Sequence, residues 1–404
     1  MGTAQTGTAQ ISTAQTGTAQ TGTARMDTAS IEVPRGLTNV VVTETALSDV
    51  RGLEGFYHYR QYSAAELAQR RSVEDVWMLL LDGKLPDEGE RAAFAEELAE
   101  AAQLSAGLRA ALPAIAAGTG ADLIAGLRTS ISLEGAGLRP LYDLSPAQRR
   151  SDLIRLAAEV PAIIAALARI RSGREPVESR PELGYTADYL HMLTGSEPPP
   201  AIVSALSTYL VAAIDHGFNA STFTARVIAS TGADAASCLV GALGALSGPL
   251  HGGAPSRALD TLDAIGSVEN IDAWVCARLE AGERIMGFGH PVYRTEDPRS
   301  ALLKRVALGF GGPRVEFAVR VEERIPALLE RFKPGRRLNT NLEWYAAIVM
   351  ELCGLDRSLF TPTFAAARVL GWTANILEQS LDPKIIRPSA RYTGPPAPQP
   401  VPPA

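Results

Sequence analysis

Apolar residues recur at three-to-four spacing, with charges between them, over residues 86–103, 105–117, 146–172 and 315–332. That is the period of a helix with one face buried. Start signals sharpen the pattern. Ser63-Ala64-Ala65-Glu66 reads as a capped helix start, with Ser63 as N-cap and Glu66 closing the box. Ser72 opens another helix, which runs through Val76-Trp77-Met78-Leu79-Leu80-Leu81 and stops near Gly83. Residues 201–250 are richer still in Ala and Leu, with Asp215, Arg226 and Asp234 as formal charges. The uncharged run 201–214 is too short to cross a bilayer, and Gly241, Gly244 and Gly248 break the later one. Helices buried inside a large helical protein are expected there. Strand-like segments are few: Val40–Thr43 and Phe56–Tyr59 are predicted to make a small sheet near the start. The fold class is mostly α.

Both ends depart from this pattern. Residues 1–30 repeat Gly-Thr-Ala-Gln almost verbatim, and 393–404 are Pro-rich. Neither carries enough apolar surface to offset the entropy of ordering, so both are expected to be disordered tails. Between them, 46% hydrophobic and 20% charged residues provide for a substantial core in a chain of 404 residues, long enough for two domains. The net charge of −6 argues against non-specific nucleic-acid binding, so an anionic ligand must meet local arginines. Cys238, Cys276 and Cys353 are odd in number and have no metal-ligand spacing; they read as buried small hydrophobes in a reducing cytosol. No metal or redox cofactor is implied, and Gly287-Phe288-Gly289 lacks the third glycine of a dinucleotide fingerprint. With neither a leader-like start nor a spanning run, a soluble cytoplasmic protein is expected.

The chemistry concentrates around three of the five histidines. His216 lies in Asp215-His216-Gly217-Phe218-Asn219-Ala220-Ser221, His251 in Gly248-Pro249-Leu250-His251-Gly252-Gly253, and His290 in Gly287-Phe288-Gly289-His290-Pro291-Val292-Tyr293-Arg294. Flanking glycines let backbone approach a ligand closely. Arg294 and Arg299 share the third segment, and arginine suits bidentate recognition of carboxylate or phosphate. Glu343, in Asn341-Leu342-Glu343-Trp344-Tyr345, sets one carboxylate among apolar residues, where a raised pKa would make it a base near neutral pH. A helix-start glutamate favoured by the dipole is the other reading of that segment. His58 and His191 read as packing or surface residues. Acid–base or electrophilic chemistry on an anionic substrate is expected.

These motifs together resemble one family. DHGFNASTFTAR with His216, GPLHGG with His251, GFGHPVYRTEDPR with His290, FTPTFAAARVLGW with Arg368 and IIRP with Arg387 are similar to the segments of citrate synthases. The resemblance runs from about residue 45 to 392. It implies an all-helical, two-domain homodimer: a large domain from 31–257 and 364–392, and a smaller mobile one from 258–363. It also implies condensation of oxaloacetate with an acyl-CoA substrate and water, in a cleft that closes on oxaloacetate first. Glu343 would take a proton from the acyl methyl group. His251 would stabilise the enol(ate), and His290 would assist attack on oxaloacetate. His216, Arg299 and Arg368 would bind the oxaloacetate carboxylates, with Arg387 contributed from the neighbouring subunit, and Arg294 would meet coenzyme A.

Two positions depart from the family pattern. Glu343 stands where aspartate is usual, and the extra methylene moves the carboxylate by roughly 1.5 Å, when about 1 Å can cost on the order of 100-fold in rate. Asn375 stands where histidine is frequent. Acetyl-CoA as substrate makes the product citrate; the alternative, propionyl-CoA, gives 2-methylcitrate and differs by one methylene, worth only about 1–3 kcal/mol in an apolar pocket. Citryl-CoA cleavage and a non-catalytic paralogue are the remaining readings.

Overall fold

The computed structural model describes residues 31–252, 254–290, 292–332, 334–335 and 338–403. The repetitive segment 1–30 lies outside the described residues. Two compact units form: one is Thr45–Ile386, and the other joins the flanking segments through Glu44 and from Arg387. In the second unit, residues 394–403 are exposed and carry no helix or strand.

The fold is mostly α, with sixteen α-helices among the described residues. The periodic segments become helices Glu88–Ala101, Ala106–Thr119, Pro146–Arg171 and Pro313–Phe332. Local caps set several starts. Ser72 accepts from the Asp75 backbone N–H, and Asp87 and Ser145 each form a reciprocal capping box. Each such cap stabilises its helix by about 1 kcal/mol. Ser63 accepts from Glu66 N–H at 3.4 Å, but the Glu66 side chain does not close the expected box. Gly83 ends its helix in the left-handed region at φ 82°, which a residue with a Cβ adopts at a cost.

The small sheet differs from expectation in one strand. Ser48–Arg51 pairs antiparallel with Phe56–Tyr59, which pairs with Tyr62–Ser63. Val40–Thr43 forms no strand, and Val41 is 87% exposed. Strand position was decided by pairing, because Ser48 lies opposite Tyr59 and leads directly into the buried Asp215 region. The β-branched run has no such partner.

Helix Phe360–Ser380 is buried on nearly every face, as its all-round apolar composition requires. Helices Val73–Asp82, Pro146–Arg171, Pro200–Ala213, Ala220–Ala229 and Ala235–Leu246 surround it. Several polar groups in and around it are paired within the core, whereas Trp372 Nε1 and Gln379 Nε2 have no partner among the described residues. Trp77 Nε1 donates to Thr373 Oγ1 at 2.9 Å, and the Tyr185 hydroxyl donates to Ala366 O at 2.7 Å. A second group has helix Leu342–Leu352 packed on Ala254–Ile265 and Pro298–Phe310. One buried acid is unusual: Glu159, paired with Arg155 at 2.9 Å, keeps its Oε2 without a partner, and burial pushes its pKa up to about 8. No described helix is long and apolar enough to cross a membrane.

Candidate active site

One face of the Phe360–Ser380 helix begins the site. Arg368 and Asn375 are seven residues apart, two turns, so they project from the same stripe. Gly371 lies between them, and a Cβ there would meet Ile214 O at 2.1 Å. That absence lets the helix press onto segment 213–215. Arg368 Nε donates to Ala213 O at 2.8 Å, and Asn375 Nδ2 donates to Asp215 Oδ1 at 3.2 Å. The next residue is His216. Asn219 then caps helix Ala220–Ala229 through Thr222 N–H at 3.1 Å, which sets the direction of the chain past the histidine.

His251 lies in a turn beyond helix Ala235–Leu246. Gly252 N–H donates to Leu246 O at 2.9 Å, and a Cβ on Gly252 would sit 2.2 Å from that oxygen. The helix therefore ends before Pro249, and Gly252 lets the turn fold back. His251 Nε2 is 2.8 Å from Ser221 Oγ, which also lies 2.8 Å from Asn219 Oδ1. The serine has one hydroxyl hydrogen. Given to His251, it leaves the imidazole proton on Nδ1; given to Asn219, it leaves that proton on Nε2.

The third wall is a clasp between two loops. Gly289 N–H donates to Asn339 O at 2.8 Å, Asn341 N–H to Gly287 O at 2.9 Å, and Asn341 Nδ2 to Gly289 O at 2.9 Å. Gly287 has φ 86°, and a Cβ there would lie 2.7 Å from the Trp344 ring. The clasp holds His290 near the start of helix Leu342–Leu352, which carries Glu343. Asn341 caps that helix through Glu343 N–H at 3.2 Å.

His290 Nδ1 accepts the backbone N–H groups of Val292 at 3.0 Å and Tyr293 at 3.1 Å. The neutral ring thus carries its proton on Nε2, an assignment made from these partners. Arg299 NH2 lies 3.2 Å from that Nε2. Two donors so placed are not bonded to each other; they converge, and an oxygen atom satisfies both. Arg299 is itself fixed by Asp297, with Nε and NH2 contacts of 3.0 and 2.8 Å, while Asp297 Oδ2 also accepts Leu342 N–H at 3.1 Å. His216 Nε2 meets the Tyr293 hydroxyl at 3.0 Å, and its ring stands edge-on to His290 with centroids 5.5 Å apart.

These groups line one cavity of about 650 Å³: His216, His251, His290, Arg299, Glu343 and Arg368 all face it. Burial, reinforced by Arg368, pushes His251 down to about 4. Burial and Arg299 push His290 down to about 4, against the opposite pull of Asp297. Burial, then Arg299 and His290, hold His216 well below the usual range. All three are neutral at physiological pH. Burial raises Glu343, with Arg299 partly offsetting it, and Glu343 Oε2 has no hydrogen-bond partner. Arg368 stacks over Phe364 at 4.7 Å and pairs with no carboxylate among the described residues. Two buried guanidinium groups, neutral donors and one poised carboxylate suit a dianionic acceptor and a carbon acid. Among the described residues no three His, Cys, Asp or Glu side chains gather as a metal site.

Six of the eight residues expected from sequence are therefore together. Arg294 is exposed and outside the cavity wall, with its backbone N–H bonded to Gly52 O at 3.0 Å. Arg387 is exposed in the terminal unit. His58 pairs with Arg60 O in the small sheet, and His191 lies on helix Tyr185–Thr194; neither faces the cavity. Sequence reasoning missed Ser221, Tyr293, Asp297 and Asp215 as supports. All four lie within five residues of a singled-out histidine or of Arg299, a neighbourhood that could have been weighed.

Comparison with known proteins agrees along the chain. The family model described as citrate synthase, C-terminal domain, matches residues 36–389. Citrate synthase 2 of Bacillus subtilis is 37% identical over 366 residues, covering 89% of this chain and 96% of that protein. Citrate synthase of Deinococcus radiodurans is 36% identical, covering 90% and 96%. Among solved structures, citrate synthase from Thermotoga maritima superposes with a TM-score of 0.81 at 32% identity, over 92% of this chain and 98% of that one. Citrate synthase from Thermoplasma acidophilum, in a ternary complex with carboxymethyl coenzyme A and oxaloacetate, gives 0.84 at 26% identity with the same coverage.

Proposed function

The chain belongs to the citrate synthase family, and on that premise we propose that it condenses oxaloacetate with acetyl-CoA and water to give citrate and free coenzyme A. The observation that carries this reading is the cavity itself: three neutral histidines, two buried arginines and a glutamate with a raised pKa share one space.

The roles follow from the local chemistry. Arg299 and Arg368, with His216, bind the oxaloacetate carboxylates; for Arg368 the ligand supplies the anion that the fold withholds. His290 donates from Nε2 to the keto oxygen, at the point where it converges with Arg299. Glu343 takes a proton from the acyl methyl group, and its raised pKa makes it the stronger base. His251 hydrogen-bonds the thioester oxygen from Nδ1 as enolate charge develops there, in the tautomer reached when the Ser221 hydroxyl turns from Asn219 Oδ1 to His251 Nε2. The new carbon–carbon bond forms between that enol(ate) carbon and the keto carbon, and hydrolysis of the resulting thioester releases the thiol.

Closure is part of this proposal. One side of the cavity comes from Thr45–Val50, Asp215–Ala220 and Phe364–Asn375, and the other from Gly289–Arg299 and Asn341–Glu343. Residues 258–363 then act as a smaller lobe that closes on oxaloacetate and shields the enol(ate) from water. Exposed Arg294 is assigned to the coenzyme A phosphates, and Arg387 of the partner subunit completes the carboxylate site in a homodimer.

The test is release of coenzyme A thiol by purified protein with oxaloacetate, acetyl-CoA and propionyl-CoA being compared by kcat/KM. Preference for acetyl-CoA supports the proposal. Preference for propionyl-CoA makes the activity 2-methylcitrate synthesis, and no release with either refutes condensation.

A further inference from the structure

A buried polar chain that the proposed reaction does not use runs from Arg226 to Asn375 and Asp215, the last two of which line the cavity themselves. Arg226, 2% exposed, places NH1 2.6 Å from Glu378 Oε2 and 3.2 Å from Asn375 Oδ1, and Nε 2.9 Å from Gln379 Oε1. Asn375 in turn spends both hydrogens of its Nδ2: one goes to Asp215 Oδ1 at 3.2 Å, the other to Gly371 O at 2.9 Å. The Asp215 carboxylate is completed by the Ser48 hydroxyl and by Gly217 N–H at 3.2 Å. From the other end, Glu378 Oε1 accepts Ala46 N–H at 2.9 Å, which ties the segment before Ser48 to the same helix.

Asp215 presents a difficulty. It lines a cavity meant for a dianion, and it is 1% exposed. A carboxylate left unpartnered there would repel the substrate or swing toward the arginines that bind it. Asn375 is suited to prevent this, because an amide offers a donor to Asp215 and an acceptor to Arg226 at once. Neither a carboxylate nor an aliphatic side chain does both.

We propose that Asn375 is a positioning residue for oxaloacetate binding: by bridging Arg226 to Asp215 it fixes segment 215–217, and with it His216, against the helix that carries Arg368. The inference rests on the condensing activity proposed above. It predicts a selective effect. Asn375 shares its helix face with Arg368 and holds the residue before His216, whereas Glu343 and His251 come from other elements, so the acyl-CoA half of the site is not addressed.

The experiment is steady-state thiol release by the full chain with each substrate varied in turn. Asn375→Ala removes a hydrogen bond to a charged group on each side, and loss of such a bond corresponds to a rise in the oxaloacetate KM of about 10-fold or more. The KM for the acyl-CoA and kcat should stay within about threefold of wild type, since neither Glu343 nor His251 is touched. Asn375→His, whose ring can donate at one nitrogen and accept at the other, should recover most of the loss. An unchanged oxaloacetate KM, or a fall in kcat with no KM split, overturns the proposal. If Asn375→Ala does not fold, Asn375→Asp decides: its carboxylate can accept from Arg226 but cannot donate to Asp215, and an unchanged oxaloacetate KM there overturns the proposal equally. Wild-type protein that releases no thiol refutes the condensing activity instead, a result distinct from either.

Discussion

Replacing Glu343 by glutamine separates its catalytic cost from its structural one. The two side chains match in size, so Trp344 under Gly287 and the Asn341 cap stay in place. What changes is the charge. In the folded protein Glu343 is buried, its Oε2 lacks a partner, and burial makes ionisation less favourable than in the unfolded chain. Ionised Glu343 therefore destabilises the fold, and the sign follows: its folded pKa is raised, so stability falls as pH rises above the unfolded carboxylate pKa. Glu343→Gln should unfold at the same temperature as wild type or higher at pH 7.5. Turnover should move the other way, because a positioned general base contributes about 10²–10⁴-fold, or roughly 3–5.5 kcal/mol of barrier. Thiol release measures the turnover, and the rise in melting temperature on adding oxaloacetate measures ligand binding, which should persist. In wild type the acid limb of kcat against pH should belong to Glu343, since His251 and His290 titrate near 4. Turnover within tenfold of wild type, or loss of the oxaloacetate response, would refute the assignment of Glu343 as base.

Three other perturbations test separate parts of the argument. Arg368→Ala should raise the oxaloacetate KM by about 100-fold, as expected for a lost charge-assisted carboxylate contact, and a KM within threefold in steady-state assays removes Arg368 from the binding wall. Glu159 has a folded pKa of about 8 against about 4.5 unfolded, so the folded chain holds the extra proton between these values and stability falls as pH rises through them. Urea unfolding at pH 5, 6.5 and 8 should show a shallower decline for Glu159→Gln, and parallel curves would contradict the burial argument. Gly52→Ala should lower kcat/KM by about 10-fold or more, because a Cβ there would lie 2.3 Å from Val292 O, in the loop that follows His290; wild-type kinetics would mean the loop yields freely.

Local signals carried the helices well. Ser72 and Gly83 bracket a helix whose start and stop are decided by neighbours within four residues, so the sequence pattern suffices. Val40–Thr43 was misjudged because strand identity depends on a partner, and Ser48–Arg51, with only one β-branched residue, has the partner. The histidine segments were readable because glycines announce close approach. What could not be read was the division between Arg294 and Arg299. They are five residues apart with similar neighbours, yet the Asp297 carboxylate and a helix start draw one inward while the other stays in solvent. Asn375 was equally opaque, since Arg226 and Asp215 lie 149 and 160 residues away along the chain.

The contact between Gly52 and the 292–294 loop bears on when in the life of the molecule the site exists. Arg294 N–H reaches Gly52 O across some 240 residues of chain, and the cavity wall spans Thr45 to Asn375. Such high sequence separation places site assembly late, after the helices have formed from local contacts. A nascent chain contains strands Ser48–Arg51 and Phe56–Tyr59 long before the His290 loop is made, and Asn375, the last cavity residue along the chain, follows later still. Competence thus waits for Asn375, and a product truncated before it should have helices without an active centre.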